Sequence, residues 1–227
     1  MMITELAVLK WLHILAMVYW LGGEWGVFQT SYYVVNRKLP MDERKRHMNT
    51  AYKIDILARS GILLLFPLGF HMGVFWGVQP LTGVWIIASW VFFALWIALA
   101  WAAFFKRETD MGIRLTKWDE YIRFVFIPVI VIASVSSLLG HGPFEAGSGQ
   151  KWFSSKILLF SGLLIIGLKL RFIMREWTML FRVLDQDPGN TQAEETLERS
   201  IRVGRGLAYL YWVGIAGVGF LGAVKPF

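Results

Sequence analysis

The sequence predicts an all-α integral membrane protein, a bundle of six transmembrane helices with both termini on the outer, periplasmic side. Composition is the first reason: the 227 residues are 56% hydrophobic, 16% aromatic and only 17% charged, which excludes an ordinary soluble domain. The second is a series of apolar runs, each long enough to cross roughly 30 Å of hydrocarbon at about 1.5 Å per residue. The third is charge placement. Segments 36–53, 106–123 and 169–205 hold 18 of the 23 Lys and Arg residues, whereas Lys10, Lys151, Lys156 and Lys225 fall on the other side. By the positive-inside rule those three segments are cytoplasmic.

The first span covers about 6–30. It has no basic leader and no cleavage motif, so it is expected to be retained. The second covers 56–78 and the third 84–105. Residues 61–105 are uncharged but too long for one crossing, and Gln79-Pro80-Leu81-Thr82-Gly83 divides them into a tight hairpin. The fourth covers 121–140, with Pro128 inside it, the fifth 153–175 and the sixth 206–224. Together, 1–227 reads as one polytopic domain whose cytoplasmic loops carry helical extensions. Thr116-Lys117-Trp118-Asp119 and Thr191-Gln192-Ala193-Glu194 have the spacing of helix caps, and Asp187-Pro188-Gly189-Asn190 that of a turn. Glu195 with Arg199 and Glu198 with Arg202 are i,i+4 pairs suited to a solvated helix.

The net charge of +7 is accounted for by membrane orientation, so no nucleic-acid partner is expected. Cysteine is absent, which excludes disulfides, thiolate metal sites, iron–sulfur clusters and c-type haem attachment. Histidine, methionine and carboxylates remain as ligands. The segment Gly142 to Lys151 has glycines but no Gly-Lys-Ser/Thr, so nucleotide binding is rejected.

In the first span His13, Trp20 and Glu24 lie within roughly 40° of one another on one helical face. Polar groups so placed inside an apolar helix mark a functional site. His71, about seven residues before the outer end of the second span, is expected at the depth of His13. Glu24 and Arg59 lie roughly 16 Å and 18 Å further in, so they too are level and can form an ion pair, or a proton or quinone site. His141 closes the fourth span on the same outer side, while His47 is expected to be solvated. Gly69, Gly73 and Gly77 form a small-xxx-small row that allows close helix approach. The bulky aromatic surroundings favour haem, with His13 and His71 on the iron, over bare copper. Copper handling by His13, Met17, His71, Met72 and His141 is the alternative.

Lys10-Trp11-Leu12-His13 followed by Trp20-Leu21-Gly22-Gly23 resembles the first helix of a broad group of bacterial membrane proteins. The group includes the copper-resistance D family, the HemJ-type protoporphyrinogen oxidases and the membrane domain of cytochrome-linked urate oxidases. Arg59 with Pro67-Leu68-Gly69 and Gly73 is similar to their second helix, so the resemblance spans residues 9–77. It implies a helical bundle holding a b-type haem, with His13 as ligand; Trp20 is expected to pack near the macrocycle. The chain departs from the HemJ type in having six expected spans in place of four, and no lysine between Leu81 and Phe105. The expected function is a haem-binding electron-transfer subunit in the bacterial inner membrane. It would link a periplasmic cytochrome or dehydrogenase to quinone or another haem; a HemJ-like oxidoreductase acting on a tetrapyrrole is a further alternative.

Overall fold

A computed structural model describes residues 4–107, 109–144 and 150–227; residues 145–149 of the rejected nucleotide loop lie outside these. The described residues form six helices and no strand: α1 (Glu5–Val34), α2 (Met41–Phe75), α3 (Val84–Phe105), α4 (Asp110–Leu138), α5 (Lys151–Gln186) and α6 (Thr191–Val224). Every one is long and apolar enough to cross a membrane. The architecture is that of a multi-pass membrane protein, with large apolar side chains such as Trp11, Ile14, Val18, Ile87, Leu95, Ile132 and Val213 on its outside.

The helices overrun the expected spans because the basic segments are themselves mostly helical. At the basic end of the bundle only short turns remain between α1 and α2, α3 and α4, and α5 and α6. Local chemistry sets these boundaries. Thr109 caps α4 by accepting from Gly112 N, and Asn190 caps α6 by accepting from Ala193 N at 2.9 Å. Thr116 therefore lies inside α4 and is no cap, and the α6 cap falls one residue before the expected Thr191. Asp187 to Asn190 is the expected turn, closed by Asn190 N donating to the Asp187 carbonyl at 3.1 Å. At the other end, the hairpin between α2 and α3 is clasped by the Gln79 side chain. Its amide donates to the carbonyls of Phe70 (3.0 Å) and Leu81 (2.8 Å) and accepts from Leu81 N (2.6 Å).

Each helix packs against the next in sequence, and α6 returns to α1, so the helices form a ring with both termini at one end. Across the middle, α2 and α5 meet through side chains. Phe66 lies 6.2 Å from Phe160 and Phe70 lies 6.0 Å from Phe153, by ring centroids. Tyr52 donates to the Met174 carbonyl at 2.6 Å.

Helices α1 and α2 approach closely. A β-carbon at Gly61 would lie 2.6 Å from the Ala16 carbonyl oxygen, and one at Gly23 would lie 2.7 Å from Ala58 Cβ. The row Gly69, Gly73, Gly77 has a different use: Gly69 faces the His13 ring, Gly73 faces Gln79 and Phe153, and Gly77 lies beyond α2 at φ +64°. This corrects the expected helix-packing stripe.

Candidate functional site

Two chambers lie between α1, α2, α5 and α6, one above the other along the bundle. The first, at the end that carries the termini, has a volume of about 690 Å³, within the roughly 300–1,000 Å³ usual for small-molecule and cofactor sites. His13 is on its wall, with Met17, Met72, Trp76, Trp152, Phe153 and Phe160. The His13 ring packs against Gly69, where a β-carbon would lie 3.4 Å from the ring Cε1. Its buried Nδ1 has no hydrogen-bond partner among the described residues. A buried ring nitrogen without a partner is costly unless something else binds it.

The rim of this chamber is cationic. Lys10, Lys156 and Lys225 line it with no carboxylate. Lys225 Nζ sits 3.8 Å from the Trp76 ring centroid and 4.9 Å from that of Trp152, and Lys10 Nζ is 5.8 Å from Trp76, so aromatic faces hold these charges in place. Partial burial and the neighbouring Lys10 lower the pKa of Lys225 from its ordinary value. Lys225 adopts φ 50°, the one positive φ at a non-glycine among the described residues. Lys156 reaches the chamber because Gly222 has no side chain; a β-carbon there would collide with its Nζ.

The second chamber, toward the basic end, measures about 70 Å³. Glu24 and Arg59 both line it, as their expected common depth requires, together with Asp55, Arg123, Arg171, Arg205, Tyr211 and Trp177. Arg59 forms its ion pair with Asp55, one turn away on α2. Behind the wall, Asp119, 0% exposed, accepts from Trp96 Nε1 at 2.7 Å and Arg123 Nε at 3.2 Å, and pairs with Arg171.

Trp20 stands at the partition. It is 1% exposed and lies on α1 between Met17 of the first chamber and Glu24 of the second. Its Nε1 donates to Tyr211 Oη at 3.1 Å, and its ring meets Phe160 edge-on at 6.0 Å.

The remaining histidines are elsewhere. His71 lies two residues from Gly69, hence near His13 in depth, but it is not among the chamber's lining residues. Trp90 Nε1 lies 3.4 Å from its Nδ1, and Glu5 Oε1 lies 3.2 Å from its Nε2. His141 is exposed at the turn after α4, and His47 stacks on Tyr33 with ring centroids 4.4 Å apart. No group of three or more His, Asp or Glu in metal-binding geometry occurs among the described residues.

No family model, curated protein or solved structure matches this chain. Its chemistry therefore has to be argued from the chambers themselves. Of the residues expected from sequence, His13 lines the first chamber and Glu24 and Arg59 the second, while Trp20 lines neither; the lysine rim and the Asp55, Asp119, Arg123 and Arg171 cluster were not anticipated. A signal was present for four of these: Lys10, Lys156, Arg171 and Arg123 fall inside the expected spans, where an ionisable residue is a site hypothesis by default.

Proposed function

We propose that the chamber at the terminus-bearing end binds a b-type haem and that the chain is an electron-transfer subunit of a membrane oxidoreductase. One combination carries this: His13, whose buried Nδ1 has no partner among the described residues, lines a ligand-sized aromatic cavity with three lysines and no carboxylate. Haem asks for that combination of an imidazole, apolar walls and cations for its carboxylates. When bound, it supplies one-electron chemistry at a potential set by its ligands and surroundings. His13 provides the ring nitrogen. Lys10, Lys156 and Lys225 neutralise and orient the anionic edge, and Trp76, Trp152 and Phe153 exclude water.

His71 is engaged with Trp90 and Glu5 and is assigned no ligand role. The charge asymmetry supports an orientation in which this chamber opens to the periplasm of a bacterial inner membrane. The electron partner on that side would be a soluble cytochrome or dehydrogenase, and quinone or another haem would serve as the second.

Copper handling is the second reading, favoured by the thioethers of Met17 and Met72 in the same lining as His13. A reduced-minus-oxidised spectrum, pyridine haemochrome and metal analysis on one purified sample separate the two. The expected result is a b-type spectrum that His13→Ala abolishes and His71→Ala retains. A full b-type spectrum in folded His13→Ala overturns the assignment, and stoichiometric copper without porphyrin transfers the site to the copper reading.

A further inference from the structure

The smaller chamber has hydrogen-bond donors that no described residue satisfies. Four guanidinium groups, Arg59, Arg123, Arg171 and Arg205, face it against two carboxylates, Glu24 and Asp55. Asp55 is taken by Arg59, and Asp119 behind the wall serves Arg123 and Arg171. Counting Asp119 with the lining still leaves one positive charge in excess. Arg205 is anchored through Nε to Ser31 Oγ at 3.1 Å and stacked 3.7 Å over Tyr32, yet its buried Nη2 has no acceptor among the described residues. Trp177, 3% exposed, lines the same chamber, and its indole N–H also has no acceptor there.

Two buried donors without acceptors in one cavity are rare, since each carries the desolvation penalty of an unmade hydrogen bond. Glu24 does not serve Arg205. It is seven residues from Ser31 on α1, roughly 10 Å along the helix, and Arg205 is tied to Ser31. No described residue supplies the acceptor, and the surplus charge favours an anion from outside the chain. The volume of about 70 Å³, against roughly 30 Å³ for a water molecule in the liquid, suits a small oxyanion head. Gly204 and Ala208 of α6 and Phe28 and Ser31 of α1 also line the chamber.

We propose that this chamber is an oxyanion site, in which Trp177 Nε1–H and Arg205 Nη2–H donate to the oxygens of a carboxylate or phosphate group. The group arrives either as the head of an amphiphile or as a free anion. The proposal is independent of the haem reading, because none of its donors lines the other chamber.

Calorimetric titration of the full chain in a neutral maltoside detergent, with laurate and separately with inorganic phosphate, tests it. Saturable binding of at least one probe is expected, weakened roughly tenfold or more by Trp177→Phe and by Arg205→Gln, and left intact by His13→Ala. Binding of laurate alone identifies an amphiphile, and binding of phosphate identifies a free anion. Arg205→Lys, which keeps the charge, provides the readout if the glutamine variant fails to fold. No saturable binding of either probe overturns the site. So does undiminished binding in Trp177→Phe or in both Arg205 variants, which would locate the anion at the lysine rim.

Discussion

At the scale of single residues, the chamber of His13 depends on side chains that are absent as much as on those present. Gly222 leaves the space that Lys156 Nζ occupies, so Gly222→Val should displace the ammonium from the rim without touching His13. The expected outcome is a folded protein that loses haem faster on dilution while its spectrum keeps its shape. A changed spectrum would mean that the substitution had reached the iron ligands. Tyr211→Phe acts at the partition. Removing the hydroxyl leaves Trp20 Nε1 buried without its acceptor, at a cost of about 1–3 kcal/mol. Gly167 makes room for that hydroxyl, since a β-carbon there would lie 2.9 Å from Tyr211 Oη. The melting temperature of Tyr211→Phe should fall with haem content unchanged, and an unchanged melting temperature would show that water replaces the hydroxyl.

At the scale of helices, the basic end is held by an ion pair between hairpins. Arg44, 3% exposed, donates to both carboxylate oxygens of Glu194 at 2.6 and 2.8 Å and to the Val34 carbonyl at 2.9 Å, with Phe181 beneath it. Arg44→Ala leaves Glu194 only the longer contact to Arg37 at 3.9 Å and should destabilise the protein by up to about 3–5 kcal/mol, whereas Arg44→Met with Glu194→Met should recover much of the loss. Chemical denaturation in mixed micelles reads both; equal losses in the single and double variants would refute a compensated pair. This pair also marks where the sequence ceases to be legible. Span number, the Gln79 to Gly83 hairpin and the shared depth of Glu24 and Arg59 follow from local hydropathy and helix rise. Partners 150 residues apart leave no local trace, so Arg44 reads as part of a solvated basic run. The same reason hid Tyr211 from Trp20. His71 illustrates the other limit. Rise along a helix gives depth, but the azimuth that turns His71 to Trp90 and Glu5 depends on how α2 meets α1 and α3. Glu198 likewise pairs with Arg37 at 2.8 Å, across the hairpins, in place of the expected pairing with Arg202 on its own helix.

At the scale of the whole molecule, the ring of helices separates two chemistries along one axis, with Trp20 and Tyr211 between them. The aromatic chamber with its lysine rim opens toward the termini, and the arginine-lined chamber lies toward the end where most basic residues collect. Which compartment each chamber serves follows from orientation, and the charge asymmetry argues for the basic end in the cytoplasm. Native cysteine is absent, so single introduced thiols report side without background. His141→Cys lies in the exposed turn at the terminus-bearing end, and Arg46→Cys occupies a position whose native side chain is 75% exposed at the basic end. A membrane-impermeant maleimide should label the first in intact spheroplasts and the second only after lysis. The reverse pattern would place the lysine rim in the cytoplasm and move the expected redox partner there with it. The chamber geometry would stand, because it depends on helix packing and not on the direction in which the bundle is inserted.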